Sequence, residues 1–281
     1  MSKQKHIITI QDISCLGRCS ITVALPILSA AGIETTILPT AVLSTHTGGF
    51  NNFTVTDLEK DIMPIVDHWL SLDDVSFDNI YTGYLASKGQ IELIKKVFDK
   101  VKSKHNISIM VDPAMADNGK MYPAFDEEFA KCMRSLCEKA DIIVPNLTEA
   151  CKMVDMPYYK GVTTKEYVES ILFKLASYNL NKIVLTSVCL EEGKIGTACY
   201  ENGEINYYFR DIIPGYYHGS GDVYSSSLLA CFLKGKPLFD CVKVATDYTC
   251  ACIERTRNDG SPVRYGVNFE EEIESFIKML K

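Results

Sequence analysis

The chain has 281 residues, of which 47% are hydrophobic and 23% charged, with a formal net charge of −7. This is the composition of one large folded domain with a buried core, and it excludes disorder as the main state. The acidic balance argues against gripping nucleic acid by phosphate neutralisation but leaves room for a local pocket that holds a small anion.

In chain order, residues 6–11 (HIITIQ) are β-branched and predict a buried strand. Residues 20–31 predict a helix stopped by Gly32, and 35–42 a second strand. Thr56-x-x-Glu59 reads as a capping box opening a helix through Trp69. Residues 77–82 predict a strand, Ser87-x-x-Gln90 caps the next helix, and 107–112 predict a strand ending in Asp112. A long loop over 113–123 leads to a helix over 126–139, a strand over 141–144, a helix capped by Thr163-x-x-Glu166 and a strand over 182–186. Residues 195–200 and 205–209 flank Asn202-Gly203, a strong hairpin turn, and helices follow over 222–233, 237–255 and 268–280. The alternation predicts an α/β fold with a mostly parallel sheet between two helical layers and antiparallel strands added late. Without a linker, repeat or low-complexity tract, residues 1–281 are expected to form one domain.

Eleven cysteines are an odd number with no C-x-x-C pair, which excludes a small disulfide framework and points to reduced thiols in a cytoplasmic protein. The N-terminal stretch Met1-Ser2-Lys3-Gln4-Lys5-His6 is basic, but Asp12 and Arg18 interrupt the apolar run behind it, so no targeting segment is expected. No apolar run is long enough to span a membrane.

In open parallel sheets, ligands sit beyond the carboxyl ends of the strands, so polar residues there are the site candidates. Gly219-Ser220-Gly221-Asp222 precedes a helical run. Free N–H groups at that helix start would make an anion hole, and Asp222 beside it suits a general base, although an Asp there also suits a simple cap. Asn146 and Glu149 could share a hydrated Mg²⁺ with Asp112 or form only a capping box. The 113–123 loop, carrying Lys120, could close over phosphates or be an ordinary connection.

Gly219-Ser220-Gly221-Asp222, Pro145-Asn146-Leu147-Thr148-Glu149 and Asp112-Pro113-Ala114-Met115 occur in the order and spacing of the ribokinase-like superfamily of ATP-dependent small-molecule kinases. Ile10-Gln11, Gly17, Ser44-Thr45-His46-Thr47 and Thr82-Gly83-Tyr84-Leu85 make the chain similar to the pyridoxal kinases within it. The resemblance covers nearly the whole chain and implies a lidless fold that transfers phosphate from ATP to the hydroxymethyl group of vitamin B6 vitamers; the alternatives are a hydroxymethylpyrimidine kinase of thiamine synthesis or a non-catalytic vitamin- or nucleotide-binding regulator. It implies Asp222 as catalytic base and Gly219, Ser220 and Gly221 as the anion hole. Asp112, Asn146, Glu149, Ser187 and Lys120 would serve ATP, and Asp112, Thr148 and Glu149 would serve Mg²⁺ and a monovalent cation (K⁺). Asp12, His46, Thr47 and Tyr84 would line the pyridine-ring pocket, although His46 also suits a loop histidine held by backbone. A homodimer with small-molecule substrates, and no nucleic-acid or membrane partner, is implied as well. Asp12 stands where relatives often carry serine, and it could pair with a cationic group of the vitamer.

Overall fold

The sheet is built from runs whose alternate residues enter opposite cores. Ile8 and Ile10 pack into one apolar cluster and Ile7 into the other; Ile80 and Tyr81, and Ile183 and Val184, divide the same way. Strands buried on both faces in this period-2 pattern need a helical layer on each side. The computed structural model describes residues 4–281, so the start of the basic N-terminal stretch lies outside the described residues.

The elements in chain order are β1 (His6–Ser14), α1 (Ile21–Ala30), β2 (Glu34–Leu43), β3 (Val55–Asp57), α2 (Glu59–Leu70), β4 (Asn79–Thr82), α3 (Lys88–Lys102) and β5 (Ser108–Val111). A small hairpin of β6 (Ala116–Asp117) and β7 (Lys120–Met121) precedes α4 (Glu127–Cys137), β8 (Ile142–Ile143), α5 (Leu147–Met153) and α6 (Lys165–Ala176). The chain ends with β9 (Lys182–Val188), β10 (Lys194–Glu201), β11 (Glu204–Asp211), α7 (Ser220–Leu233), α8 (Leu238–Asn258) and α9 (Ile273–Leu280). Among the described residues, nine strands form one sheet in the order β11-β10-β9-β8-β5-β4-β1-β2-β3.

Neighbours from β9 through β2 run parallel, and β10 and β11 add the late antiparallel pair. Helices α2 to α6 cover one face; α1, α7, α8 and α9 cover the other. The expected three-layer α/β/α arrangement is therefore borne out. All eleven cysteines are free, six of them buried and Cys15 exposed. Among the described residues no helix is long and apolar enough to cross a membrane.

Four local expectations need correction. Thr56 opens no helix: it lies in β3, an antiparallel edge strand on β2, and the Asp57 carboxylate accepts the Glu59 N–H at 2.7 Å. Thr164, not Thr163, caps α6; Thr163 instead donates its hydroxyl to the Cys189 carbonyl. The long loop folds back on itself as β6–β7, because Asn118 and Gly119 both take the positive φ that a tight turn requires (49° and 81°). The last helix begins at Ile273, after a short 3₁₀ turn at Glu270–Glu272. Ser87 does cap α3, accepting the Gln90 N–H at 3.0 Å.

The chain leaves β1 toward β2 on one side and returns to β4 on the other. The crevice beyond the carboxyl ends of β1 and β4 is thus a topological switch point, where open α/β sheets bind ligands.

Candidate active site

Helix α7 starts beside this crevice. Gly219 has φ 75°, and a Cβ there would lie 2.1 Å from the Arg18 carbonyl oxygen, so the close approach admits only glycine. No side chain caps the helix, and its first internal bond runs from Val223 N–H to Gly219 O. The N–H groups of residues 219–222, which include the expected anion hole of Gly219, Ser220 and Gly221, are left for a ligand. A Cβ on Gly221 would meet nothing within 4 Å, so the first turn faces open space. These features form an uncapped, positively polarised helix end. Asp222 sits in that first turn. Burial pushes its carboxyl up to about 7; the Ser20 backbone N–H hydrogen bond opposes the shift, and the Asp12 charge adds to it.

One turn further along α7, the Ser225 hydroxyl donates to Asp112 at 2.7 Å, joining the end of β5 to this helix. Burial also pushes Asp112 up to about 7; the Ser225 bond opposes the shift, and the Asp222 charge adds to it. Across β8, Asn146 and Glu149 form a complete capping box at the start of α5. Glu149 accepts more than its cap: Oε2 takes the Asn146 N–H at 2.8 Å, and Oε1 takes the Met115 N–H at 3.1 Å. Its carboxyl is raised by burial and then by the Asp112 charge.

Neither Asp112 nor Glu149 pairs with a lysine or arginine among the described residues. A buried and a half-buried carboxyl without a counter-charge fit a cation. Among the described residues, no group of three or more His, Cys, Asp or Glu is placed to hold a metal. The fit is therefore to an ion such as Mg²⁺ that takes few protein ligands and keeps its waters.

Thr148, expected near the cation, uses its hydroxyl to accept the Gly119 N–H at 3.0 Å and so fastens the β6–β7 turn to α5. Lys120 is exposed on that hairpin. Ser187 is exposed in β9 with φ 60°, at a register shift against β10 and next to the Asn146–Thr186 bridge. A non-glycine residue in that conformation is locally strained, and such strain gathers where ligands bind.

Of the expected ring-pocket residues, His46 and Tyr84 lie near enough to Asp12 of β1 to interact with it electrostatically. Asp12 lies inside this strand rather than after it and is 3% exposed. Oδ1 accepts the Ser20 hydroxyl at 2.5 Å and Oδ2 the Ser14 hydroxyl at 2.9 Å. Burial raises Asp12 and the two serine bonds oppose it. Tyr84, half-buried after β4, is pushed up to about 12 by burial and then by the Asp12 charge. His46 is held by backbone at both nitrogens: Nδ1 accepts the Gly48 N–H at 3.2 Å, which leaves Nε2–H to donate to the Arg264 carbonyl at 2.6 Å. Burial lowers its basicity, so the ring is neutral and organises the 44–50 loop. Thr47 is exposed on that loop.

The sequence assigns no role to Ser14, Ser20 or Ser225. Ser225 lies three residues past Asp222 and shares its helix face, a signal that spacing does carry. Ser20 falls inside the helix predicted over 20–31, whereas the helix begins at Ile21.

The sequence profile of the phosphomethylpyrimidine kinase family matches residues 21–265. The chain belongs to that family. A Bacteroides thetaiotaomicron protein provisionally called a phosphomethylpyrimidine kinase is 34% identical, with a TM-score of 0.92 over 98% of this chain and 94% of its own. A second crystal form of that protein contains pyridoxal. Lactobacillus plantarum pyridoxal kinase is 28% identical, with a TM-score of 0.89 over 99% of this chain and 98% of its own. The Haemophilus influenzae hydroxymethylpyrimidine/phosphomethylpyrimidine kinase is 25% identical over 92% of this chain and 95% of its own. A Schizosaccharomyces pombe protein provisionally called a pyridoxal kinase is 25% identical over 70% of this chain, a match that spans only 58% of that protein. The kinase family, the ribokinase-like fold and the likeness to pyridoxal kinases are thus shown, and the relatives include both pyridoxal kinases and hydroxymethylpyrimidine/phosphomethylpyrimidine kinases.

Proposed function

We propose that the chain acts as one domain that transfers the γ-phosphoryl group of ATP to the hydroxymethyl group of a vitamin B6 vitamer. The observation that carries the reading is Asp222, a half-buried carboxyl in the first turn of an uncapped helix that faces open space. Asp222 takes the proton from the hydroxymethyl oxygen as that oxygen attacks the γ-phosphorus and ADP leaves. Its raised pKa keeps it basic enough to accept the proton near neutral pH. The N–H groups of residues 219–221 face the transferring phosphoryl group and offset its charge, so the protein positions and neutralises rather than reacting covalently.

Asp112, Thr148 and Glu149 would hold Mg²⁺ and a monovalent cation, with Asn146, Ser187 and Lys120 beside the nucleotide. Bound Mg²⁺ would supply charge neutralisation at the phosphates. Asp12, His46, Thr47 and Tyr84 line the ring pocket, with the neutral His46 setting the shape of its loop. Support for a B6 substrate comes from the pyridoxal bound by the Bacteroides relative and from the pyridoxal kinase of Lactobacillus plantarum. The family match and the Haemophilus relative support a second reading, hydroxymethylpyrimidine or its phosphate as acceptor. A homodimer follows from the resemblance and is tested by light scattering on the purified chain.

ADP release measured with pyridoxal, pyridoxine, pyridoxamine, hydroxymethylpyrimidine and its phosphate separates the readings. The B6 reading expects the highest kcat/KM with a B6 vitamer. Turnover confined to the pyrimidines would replace it with the second reading. Ligand binding without turnover of any acceptor would make the chain a binding protein.

A further inference from the structure

Two histidines meet at the crevice, and they are employed differently. His46 spends both ring nitrogens on backbone, at Gly48 and at Arg264. His218 lies beside it, with ring centroids 5.1 Å apart and planes tilted by 48°. Among the described residues, neither nitrogen of His218 has a hydrogen-bond partner.

The His218 ring is nonetheless closely seated. A Cβ on Gly48 would lie 2.4 Å from its Cε1 and 2.5 Å from its Nδ1. Gly48 does not take the left-handed backbone, so glycine there serves to admit this ring. Tyr216 packs edge-on against it, with centroids 4.9 Å apart. The peptide that carries the ring is fixed as well. The next residue is Gly219, pressed on the Arg18 carbonyl, and the Ser220 hydroxyl donates to the Tyr217 carbonyl at 2.9 Å. The ring is thus tied to the start of the anion hole. Burial, and then the neighbouring His46, lower its basicity against the pull of Asp117, so it offers one donor and one acceptor at neutral pH. A side chain that loses its rotamer freedom to packing and gains no hydrogen bond in return has those two groups left for a ligand.

The sheet order says which ligand. The 44–50 loop that seats His218 follows β2, toward one end of the crevice. The residues expected to serve ATP follow β5 and β8 or lie in β9, toward the other end. We infer that His218 is an acceptor-binding residue: its free ring nitrogens hydrogen-bond a polar substituent of the heteroaromatic acceptor, while His46 is the scaffold that shapes its seat. The inference rests on the proposed phosphoryl transfer to a heteroaromatic alcohol, and it holds for a pyridine or a pyrimidine ring alike.

His218→Phe keeps a ring packed on Gly48 and removes both nitrogens; His218→Asn keeps one donor and one acceptor. Both are assayed with MgATP and the wild type's best acceptor. The expected result for the Phe variant is an acceptor KM raised about tenfold, with KM for ATP within about twofold of wild type and an unchanged melting temperature. The Asn variant should recover part of the loss. Imidazole ¹⁵N spectra give a second readout that needs no turnover. The His218 signals, assigned by their absence from either variant among the chain's five histidines, should move when acceptor is added and stay when ADP is added. A Phe variant with the wild-type acceptor KM overturns the inference. A Phe variant that melts lower and loses affinity for both substrates also overturns it, by making His218 structural. His218 signals unmoved by a bound acceptor overturn it by themselves. A wild type that binds an acceptor and phosphorylates none refutes the proposed function, and movement of the His218 signals then still supports this contact.

Discussion

Replacing Asp222 with asparagine keeps the shape of the side chain and removes its titration, so activity and stability can be read separately. Burial has lifted this carboxyl from 3.8 to about 7. A base must be deprotonated to act, and with a pKa near 7 only about one enzyme in ten is competent at pH 6 against about nine in ten at pH 8. The acid limb of kcat/KM for the wild type should therefore fall about tenfold per pH unit below 7, with the acceptor and ATP corrected for their own titration. An unperturbed carboxyl would show no fall between pH 8 and pH 6.

The stability consequence has a definite sign. Between the unfolded value of 3.8 and the folded value of about 7 the native state holds the proton that the unfolded state has released. The native state binds more protons there, so stability declines as pH rises through this window, and the cost is complete above about 7. The amide of the Asp222→Asn variant does not titrate and escapes this cost. Asp222→Asn should lower kcat about 10²- to 10⁴-fold. It should also raise unfolding stability at pH 8 by about 1 to 3 kcal/mol, with the gain vanishing near pH 4. Denaturant titration at pH 4, 6 and 8 beside a pH–rate profile is the assay. A wild-type profile flat down to pH 5.5, or a variant no more stable at pH 8 than wild type, would refute the claim that burial tunes this base.

Three further outcomes are expected. Gly219→Ala would drive a Cβ into the Arg18 carbonyl at positive φ and should destabilise the fold by about 2 kcal/mol or more, whereas Gly221→Ala should fold normally in thermal melts yet raise KM for ATP, because its methyl projects into open space. Glu149→Gln keeps a capping partner for Asn146 but gives up the charge beside Asp112, so helix α5 should persist by circular dichroism while the Mg²⁺ concentration for half-maximal rate rises about tenfold. Asp12→Ser should change the relative kcat/KM of pyridoxal, pyridoxine and pyridoxamine, pyridoxamine losing most; unchanged ratios would remove Asp12 from vitamer recognition.

The repeated strand-to-helix alternation, the Asn202-Gly203 hairpin and the caps at Ser87 and Asn146 could be read from the chain because each depends on residues within one turn or one pleat of each other. The motif at residues 219–222 was legible for the same reason: glycines before a helical run announce a free helix start wherever they occur. The edge strand β3 was not, because three exposed residues gain a strand only from the partner they pair with. The strand order, and with it the crevice between β1 and β4, follows from pairing between distant segments that no local pattern encodes. Asp12 and Asp222 come from opposite ends of the chain, and only packing of the Arg18–Ser20 segment against Gly219 lets each feel the other. The same packing forces Ser20 out of a capping geometry that its sequence context favours. The sequence by itself thus determined which residues could carry charge and open a helix, through short-range stereochemistry. The tertiary structure decided which of them share a buried space, and burial sets their pKa values because desolvation and charge–charge repulsion depend on distance in space and not along the chain.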